Sequence, residues 1–129
     1  MTFDAIGIAG TALTVHRKWL DAISDNIANV NTARPTDESA FQARYVVAQA
    51  GEGTSGVYVQ GAAWGSAEGR LVYDPQNPIA DDQGMVRMPD IDLASQMSQL
   101  IMAQRGYEAN AAVVDRAKTS YEAALEIGK

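Results

Sequence analysis

The two ends of this 129-residue chain share a pattern that the middle lacks, namely apolar residues repeated every seven positions. Within residues 3–30 the repeat comprises Ile6, Leu13, Leu20 and Ile27, and within residues 90–127 it comprises Leu93, Leu100, Tyr107, Val114 and Tyr121. A sustained seven-residue repeat is typical of long helices that bury a narrow seam against other helices. Two such helices at the ends of one chain indicate a subunit built to pack into something larger.

Further residues extend each predicted seam. They are Ala9, His16, Ile23 and Val30 in the first helix, and Met97, Gln104, Ala111, Lys118 and Leu125 in the second. We expect the larger apolar residues of the repeats and of these further positions to form an assembly interface. They are Ile6, Leu13, Leu20, Ile23, Ile27, Leu93, Met97, Leu100, Tyr107, Val114, Tyr121 and Leu125. The two tyrosines fit an intrachain core as well as a subunit contact. Because polar residues interrupt the seams, we expect a short mixed interface and not a freely stable two-stranded coiled coil.

Three local signals predict the ends and the packing of these helices. The first helix is expected to stop in the Asn-rich residues 29–32, because Asn tolerates the left-handed conformation of a helix end. Asp90, which follows a proline, is the expected N-cap of the second helix, with Asp92 in its first turn. Gly106 lies in the middle of that helix, where Gly costs about 1 kcal/mol relative to Ala. It therefore indicates close packing or a kink.

The middle of the chain has the pattern of short strands and turns. Strands are predicted at 41–50, 57–63 and 71–73, with a short extended piece at 85–88, and a turn with two prolines at 74–78. The predicted fold class is α+β, in which long N- and C-terminal helices pair as a coiled-coil-like hairpin around a small β-rich insert. The predicted segments are 1–32 for the N-terminal helix, 33–89 for the insert and 90–129 for the C-terminal helix.

Composition excludes several classes of function. The chain has no cysteine, which rules out disulfides, thiolate metal sites and cysteine nucleophiles. Its net charge of −6 is spread along the chain without a basic segment, so nucleic acid is not an expected partner. No stretch reaches the roughly 18 apolar residues of a membrane span. The first twenty residues lack the basic start and apolar run of a cleavable secretory signal.

Motifs that could carry chemistry have simpler explanations here. Residues 51–56 match GxGxxG, but strand-like residues follow where a dinucleotide site needs a helix, so a hairpin loop is favoured. His16 could be a catalytic base or a pH-sensitive group, although a satisfied interface histidine is the favoured interpretation. Asp74, Asp81 and Asp82 lack the ligand spacing of a calcium loop and read as solvated turn residues. We therefore predict no enzyme activity, catalytic residue, cofactor, metal or small-molecule substrate.

Two regions of the sequence resemble a known protein family. Residues 26–32, Asn26, Ile27, Ala28, Asn29, Val30, Asn31 and Thr32, resemble the NIANVNT signature of bacterial flagellar rod and hook proteins. The stretch from Leu71 to Met97, the RGYEAN run at 105–110 and the ending at 124–129 are similar to the proximal-rod branch of that family. The Ala-Arg-Pro that follows the signature also favours this branch, and the similarity covers roughly two-thirds of the chain.

This resemblance implies a structural subunit of the proximal rod of the flagellar basal body. Such subunits assemble through their terminal helices into a helical tube that transmits torque. The implied partners are other rod subunits, further copies of the chain and the flagellar export apparatus. The implied location is the rod outside the cytoplasmic membrane, reached by type III export without a cleaved signal.

Two other functions explain the sequence less well than a rod subunit does. A soluble helical-hairpin adaptor or export chaperone would use the paired helices, but it has no evident need for the β insert. A small hydrolase would need a cluster of reactive groups, which the sequence does not provide.

Overall fold

The computed structural model describes the backbone of residues 2–128 and the side chains of residues 4–128. Two long helices flank four short strands. The helices are α1 (Thr2–Ala28) and α2 (Leu93–Ile127), and the strands are β1 (Arg44–Ala50), β2 (Val57–Trp64), β3 (Arg70–Tyr73) and β4 (Met85–Met88). The predicted α+β class, with a small β insert between long helices, is confirmed. Neither α1 nor α2 contains an apolar stretch that could cross a membrane, within the residues described.

The insert contains two separate two-stranded sheets. The first is the β1–β2 hairpin, whose loop closes with a hydrogen bond from Gly51 N to Gly56 O (2.7 Å). Its first strand begins at Arg44, three residues later than predicted. Before that point the chain still runs beside residues 65–67, where Gly65 N donates to Ala43 O (2.7 Å) and Ala40 N donates to Ala67 O (2.8 Å).

The second sheet is antiparallel and pairs Arg70 with Met88 at one end and Tyr73 with Met85 at the other. The far side of β4 pairs with Arg34 through an isolated bridge to Arg87, with N–O distances of 2.8 and 2.9 Å. The Arg87 guanidinium also donates to the carbonyl oxygens of Thr36 (2.7 Å) and Glu68. One side chain thus connects two loops to the sheet.

The first helix ends where the Asn-rich segment predicted, but the expected mechanism is wrong. No non-glycine residue of the described chain has a positive φ, so no Asn adopts the left-handed conformation. Instead, Asn29 Nδ2 donates to Asp25 O (2.8 Å) and Thr32 Oγ1 donates to Asn29 Oδ1 (3.1 Å). The Asp25 carbonyl also accepts a hydrogen bond from Asn29 N (3.1 Å), so the backbone and the side-chain amide of Asn29 together close the last turn of the helix.

The second helix is capped by Asp92 and not by Asp90, so that prediction is corrected. The helix begins at Leu93, and Ala94 N donates to Asp92 Oδ1 (3.1 Å). An N-cap carboxylate must directly precede the first helical residue to reach this amide. Asp90 lies two positions too early, and the Ile91 between the two aspartates is buried.

The chain divides into two compact units, and each contains pieces of both helices and of the insert. The terminal unit comprises Met1–Leu20, Val46–Gly61 and Ile101–Lys129, and the junction unit comprises Asp21–Tyr45 and Ala62–Leu100. Buried residues of the terminal unit are Ala9, Val15 and Ala103. Those of the junction unit are Ala22, Ile23, Asn26, Ala40, Ala43, Val86, Pro89, Ile91 and Gln96. The segment division 1–32, 33–89 and 90–129 stays a prediction.

Candidate assembly surface

The predicted interface residues of α1 are at least partly covered within the single chain. Ile23 is 1% exposed. The remaining four are half-buried, and they are Ile6, Leu13, Leu20 and Ile27. The first helix therefore uses much of its apolar seam inside its own chain.

The predicted interface residues of α2 fall into two classes. Leu100, Tyr107 and Val114 are half-buried, whereas the exposed members are Leu93, Met97, Tyr121 and Leu125. A second covered row on α2 lies one position before the predicted seam row that begins at Met97. It consists of Gln96, Ala103, Asn110 and Ala117. Small and amide side chains form this row, so apolar periodicity did not find it.

Three of the exposed apolar residues on the first half of α2 lie on one face of the helix. Leu93, Met97 and Ile101, spaced four residues apart, are 45%, 49% and 51% exposed. Residues at this spacing lie on one helix face. We refer to these three residues as the α2 stripe. An apolar helix face of this kind is suited to a groove or helix of a partner.

The junction unit contains a buried polar cluster centred on Asn26, which is 1% exposed. Its Oδ1 accepts a hydrogen bond from Arg44 N (2.8 Å), and its Nδ2 donates to Arg44 O (3.0 Å). The same Nδ2 donates to Oε1 of Gln96 (3.1 Å), which is 2% exposed. One side-chain amide therefore serves the first residue of β1, as a neighbouring strand would, and also contacts α2.

Residues beside Asn26 reinforce this arrangement. The Asp25 carboxylate forms an ion pair with Arg44 on the surface of the junction unit. Of the family signature, residues 26–28 complete α1 and residues 29–32 form the turn that follows it. The sequence flagged this signature as a whole, but it gave no sign of its hydrogen-bond partners Gln96 and Arg44.

The terminal unit contains a steric contact between His16 and Gly106. A Cβ on Gly106 would lie 2.6 Å from Cδ2 of His16, which is closer than van der Waals contact allows. Nδ1 of His16 lies 2.7 Å from Ala12 O in its own helix. The predicted close packing at Gly106 is confirmed, and α2 continues through this position without interruption. His16 is a packed and hydrogen-bonded residue, as the favoured interpretation expected.

The β1–β2 hairpin contacts α1 in the terminal unit, and two open clefts lie between them. Both clefts are lined by Val15 and Val57, and one of about 340 Å³ also includes His16 and Trp19. The other, of about 290 Å³, includes Thr11 and Lys18. Within residues 2–128, no three acidic or histidine side chains come together as a metal-binding group. These clefts are mainly apolar surfaces and provide no set of reactive groups.

The GxGxxG segment forms the hairpin loop, as predicted from the residues that follow it. Gly56 has a φ of 92°, and a Cβ there would overlap Thr11 of α1. The Thr11 hydroxyl accepts a hydrogen bond from Val57 N (3.1 Å) at the start of β2. Glycine is therefore needed for a turn and a close approach, and no helix N-terminus is present to hold a phosphate.

The turn before β4 is held by the Asp81 carboxylate. Its Oδ1 accepts hydrogen bonds from the backbone N–H groups of Gln83 and Met85 (both 2.9 Å), and its Oδ2 accepts one from Thr36 Oγ1 (3.0 Å). The hydrogen bond from the backbone N–H of Met85 is the largest cause that holds the pKa of Asp81 below its usual value. Desolvation opposes it as the second-largest effect, and the donors of Thr36 and Gln83 lower the pKa further. Asp81 is thus a structural turn residue.

Two protein-family models match the chain. The model of flagella basal body rod proteins matches residues 6–36, and the model of the C-terminal region of flagellar basal body rod FlgEFG proteins matches residues 82–127. The first match contains Asn26 and the second contains Gln96 and the α2 stripe. The chain is also similar over nearly its full length to proteins described as flagellar basal-body rod protein FlgC.

Relatives from distant bacteria have comparable similarity. The Salmonella typhimurium protein is 35% identical over 126 residues, which cover 95% of this chain and 94% of that one. The Borreliella burgdorferi protein is 31% identical, with 97% and 96% covered. The Bacillus subtilis protein is 29% identical, with 98% of both chains covered. Similarity thus extends through the insert as well as the two helices.

Proposed function

The chain belongs to the FlgC family of flagellar basal-body rod proteins, and on this premise we propose that it is a structural subunit of the proximal rod. In this proposal it assembles with other rod subunits and with copies of itself into a helical tube that transmits torque. The observation that carries the proposal is the α2 stripe, an apolar helix face that the chain leaves half exposed although it lies within a matched rod region. A structural role accounts for this face without requiring catalysis.

The proposal includes pairing of α1 and α2 as an antiparallel hairpin. Two contacts support it, His16 against Gly106 in the terminal unit and Asn26 against Gln96 in the junction unit. From the first contact to the second, the residue number rises by ten on α1 and falls by ten on α2. Opposite steps of equal size are what an antiparallel helix pair requires.

The geometry of a tube follows from a contact between two different surfaces. When a patch on one subunit binds another patch on the next, the contact repeats by rotation and translation and gives an open helical array. Each contact buries apolar area worth about 25 cal/mol per Å² before the ordering costs are subtracted. The predicted interface residues of α2 that stay exposed, above all Leu93, Met97 and Leu125, supply such area.

The proposed location is the rod outside the cytoplasmic membrane, after export by the flagellar apparatus without a cleaved signal. The competing adaptor function would use the same helices but would form a discrete oligomer that does not elongate with rod proteins. The rod families that match both ends of the chain favour the rod subunit.

Replacing Met97 by Asp tests the proposed role of the α2 stripe. Because Met97 is half exposed, the free chain should fold normally, whereas an interface would have to bury an unpaired carboxylate at a cost of several kcal/mol. We expect loss of motility and of rod incorporation in the native host whose own copy is deleted. Motility on soft agar and the protein content of purified basal bodies measure this.

The matched control is Ser98→Asp, which places the same charge on the neighbouring exposed position. Its hydroxyl bonds to Ala94 O of the same helix, and no other partner is seen among the described residues, so the control should retain motility. Incorporation of Met97→Asp at the level of this control would contradict the proposal.

A further inference from the structure

The seven-residue repeat that pairs the helices does not by itself define how they are aligned. If α2 slips by seven residues along α1, each position of its seven-residue repeat is taken by the next residue of the repeat. Tyr107 then replaces Leu100, or Val114 replaces Tyr107. The apolar burial is then nearly the same as before. Something other than the repeat must distinguish the native alignment, and polar residues at single positions of helical seams serve this purpose in coiled coils.

The contact between Asn26 and Gln96 does not repeat with the apolar pattern. Seven residues beyond Gln96 lies Ala103, and seven residues before it lies Pro89, which precedes the helix. Neither side chain can accept the hydrogen bond from Asn26 Nδ2. Because Asn26 and Gln96 are 1% and 2% exposed, water does not readily replace the lost partner.

The same amide also fixes where the insert leaves the helices. Asn26 bonds both the N–H and the carbonyl of Arg44, the first residue of β1. A rotation of Asn26 toward a different acceptor on α2 would therefore break bonds to the strand. This double requirement leaves one arrangement in which all partners of Asn26 are satisfied.

From these contacts we infer that Asn26 is the residue that determines the alignment of α1 with α2. It selects one of several alignments that the apolar repeat would accept, and thereby sets where the α2 stripe lies along the subunit. The contact of His16 with Gly106 adds a steric preference for the same alignment, but the outer end of its half-buried ring can move, whereas the buried amide of Asn26 finds no other acceptor on α2. The role of Asn26 in alignment rests on the proposed pairing of α1 with α2 but not on the rod, and its consequence for assembly rests on the rod as well.

Distance measurements between two spin labels test this inference on the full-length chain. The chain has no natural cysteine, so Arg17→Cys and Ser120→Cys place labels at two exposed sites, one on each helix. Pulsed electron paramagnetic resonance should give one narrow distance peak. A seven-residue slip moves one label along the helix axis by about 10 Å. Because the two labels are offset from each other along this axis, the slip changes the distance between them.

Asn26→Leu removes all three hydrogen bonds of the Asn26 amide and replaces it by an apolar side chain of similar size. We expect a second distance peak and a rise of about tenfold in the ratio of slipped to native alignment. Gln96→Leu should have the same effect while it leaves both bonds to Arg44 in place, so it tests the inference if the first variant fails to fold.

Asn110→Leu is the matched control. Asn110 lies in the same covered row of α2, but its amide donates to Gly106 O of its own helix (2.7 Å) and to no other acceptor in the described part of the chain. It should retain one peak. A single unshifted peak in both Asn26→Leu and Gln96→Leu would overturn the inference, as would a broad distribution in the unsubstituted chain.

Assembly gives a separate measurement. In a slipped chain the α2 stripe lies at a different position along α1. Rod incorporation should therefore fall in proportion to the area of the second distance peak. If Met97→Asp incorporates normally while Asn26→Leu shows a second distance peak, the proposed function fails and the alignment role stands. If Met97→Asp blocks incorporation while Asn26→Leu and Gln96→Leu show no second peak, the alignment role fails and the proposed function stands.

Discussion

The junction unit and the terminal unit contain the same two heptad-patterned helices but bury them to very different extents. In the junction unit, Ile23 and Ala22 of α1 are covered together with Val86 of β4 and residues of the segments before β1 and α2. In the terminal unit, the described buried side chains are two alanines and Val15. The sequence period is equal in both, so the period does not decide burial. Coverage by additional elements does.

The two units differ in their cores and not in whether they expose apolar side chains. The junction unit has a sheet, several loops and a buried amide cluster, and these elements supply a core of its own. The terminal unit has a thinner core. Both units leave apolar side chains exposed, such as Leu93 and Met97 in the junction unit and Leu125 and Ile127 in the terminal unit. We therefore interpret the junction unit as the better-packed unit, and exposed surface for partners is present on both.

Replacing one buried aliphatic residue in each unit is the strongest test of this difference. Ile23→Ala should lower the free energy of unfolding by 2–5 kcal/mol, because it leaves a closed cavity beneath the junction unit's helix. Val15→Ala should cost about 1–2 kcal/mol, since Val15 borders two clefts that are already open to water. Urea unfolding followed by circular dichroism measures both. Equal losses would contradict the difference in packing.

The elements that the sequence predicted correctly are those with strong local signals. Long apolar repeats predicted both helices, and the two prolines at 74–78 predicted the turn between β3 and β4. The run Tyr45, Val46 and Val47 predicted β1, and alternating apolar residues predicted β2. His16 and Gly106 were each singled out as unusual, one as a histidine on an apolar seam and the other as a mid-helix glycine. Only the structure shows that they contact each other.

The residues that the sequence did not predict depend on partners distant along the chain. Gln96 is an amide in a surface-like sequence, yet it is buried because Asn26, seventy residues earlier, bonds to it. Arg87 lies in a four-residue strand, but its guanidinium donates to loops at Thr36 and Glu68. The N-cap was predicted at Asp90 because this residue follows a proline, and Asp92 was placed in the first turn. Hydrogen bonding to the backbone distinguishes them.

A substitution in the terminal unit should change sign with its background. Gly106→Ala should cost about 1 kcal/mol when His16 is present, because the new methyl group overlaps the ring and outweighs the better helix propensity of alanine. In a His16→Ala background the same change should stabilise the chain by about 0.5–1 kcal/mol. Thermal unfolding of the four proteins of this double-mutant cycle measures the coupling. A stabilising effect in both backgrounds would show that the close approach does not constrain position 106.

The smallest effect is expected at the surface of the junction unit, where Asp81 holds the turn before β4. Because hydrogen bonds lower the pKa of this carboxyl in the folded chain, its contribution to stability is fully present above the unfolded value of about 3.9. The contribution should be lost as the pH falls through the lower, folded pKa. Asp81→Asn keeps an oxygen acceptor and removes the charge, so the stability difference between the two chains should be present at pH 7 and vanish in strong acid. Asp82→Asn, an exposed neighbour that accepts none of these bonds, is the control. A difference that persists unchanged to the lowest pH would mean that the amide alone, and not the carboxylate, limits the turn.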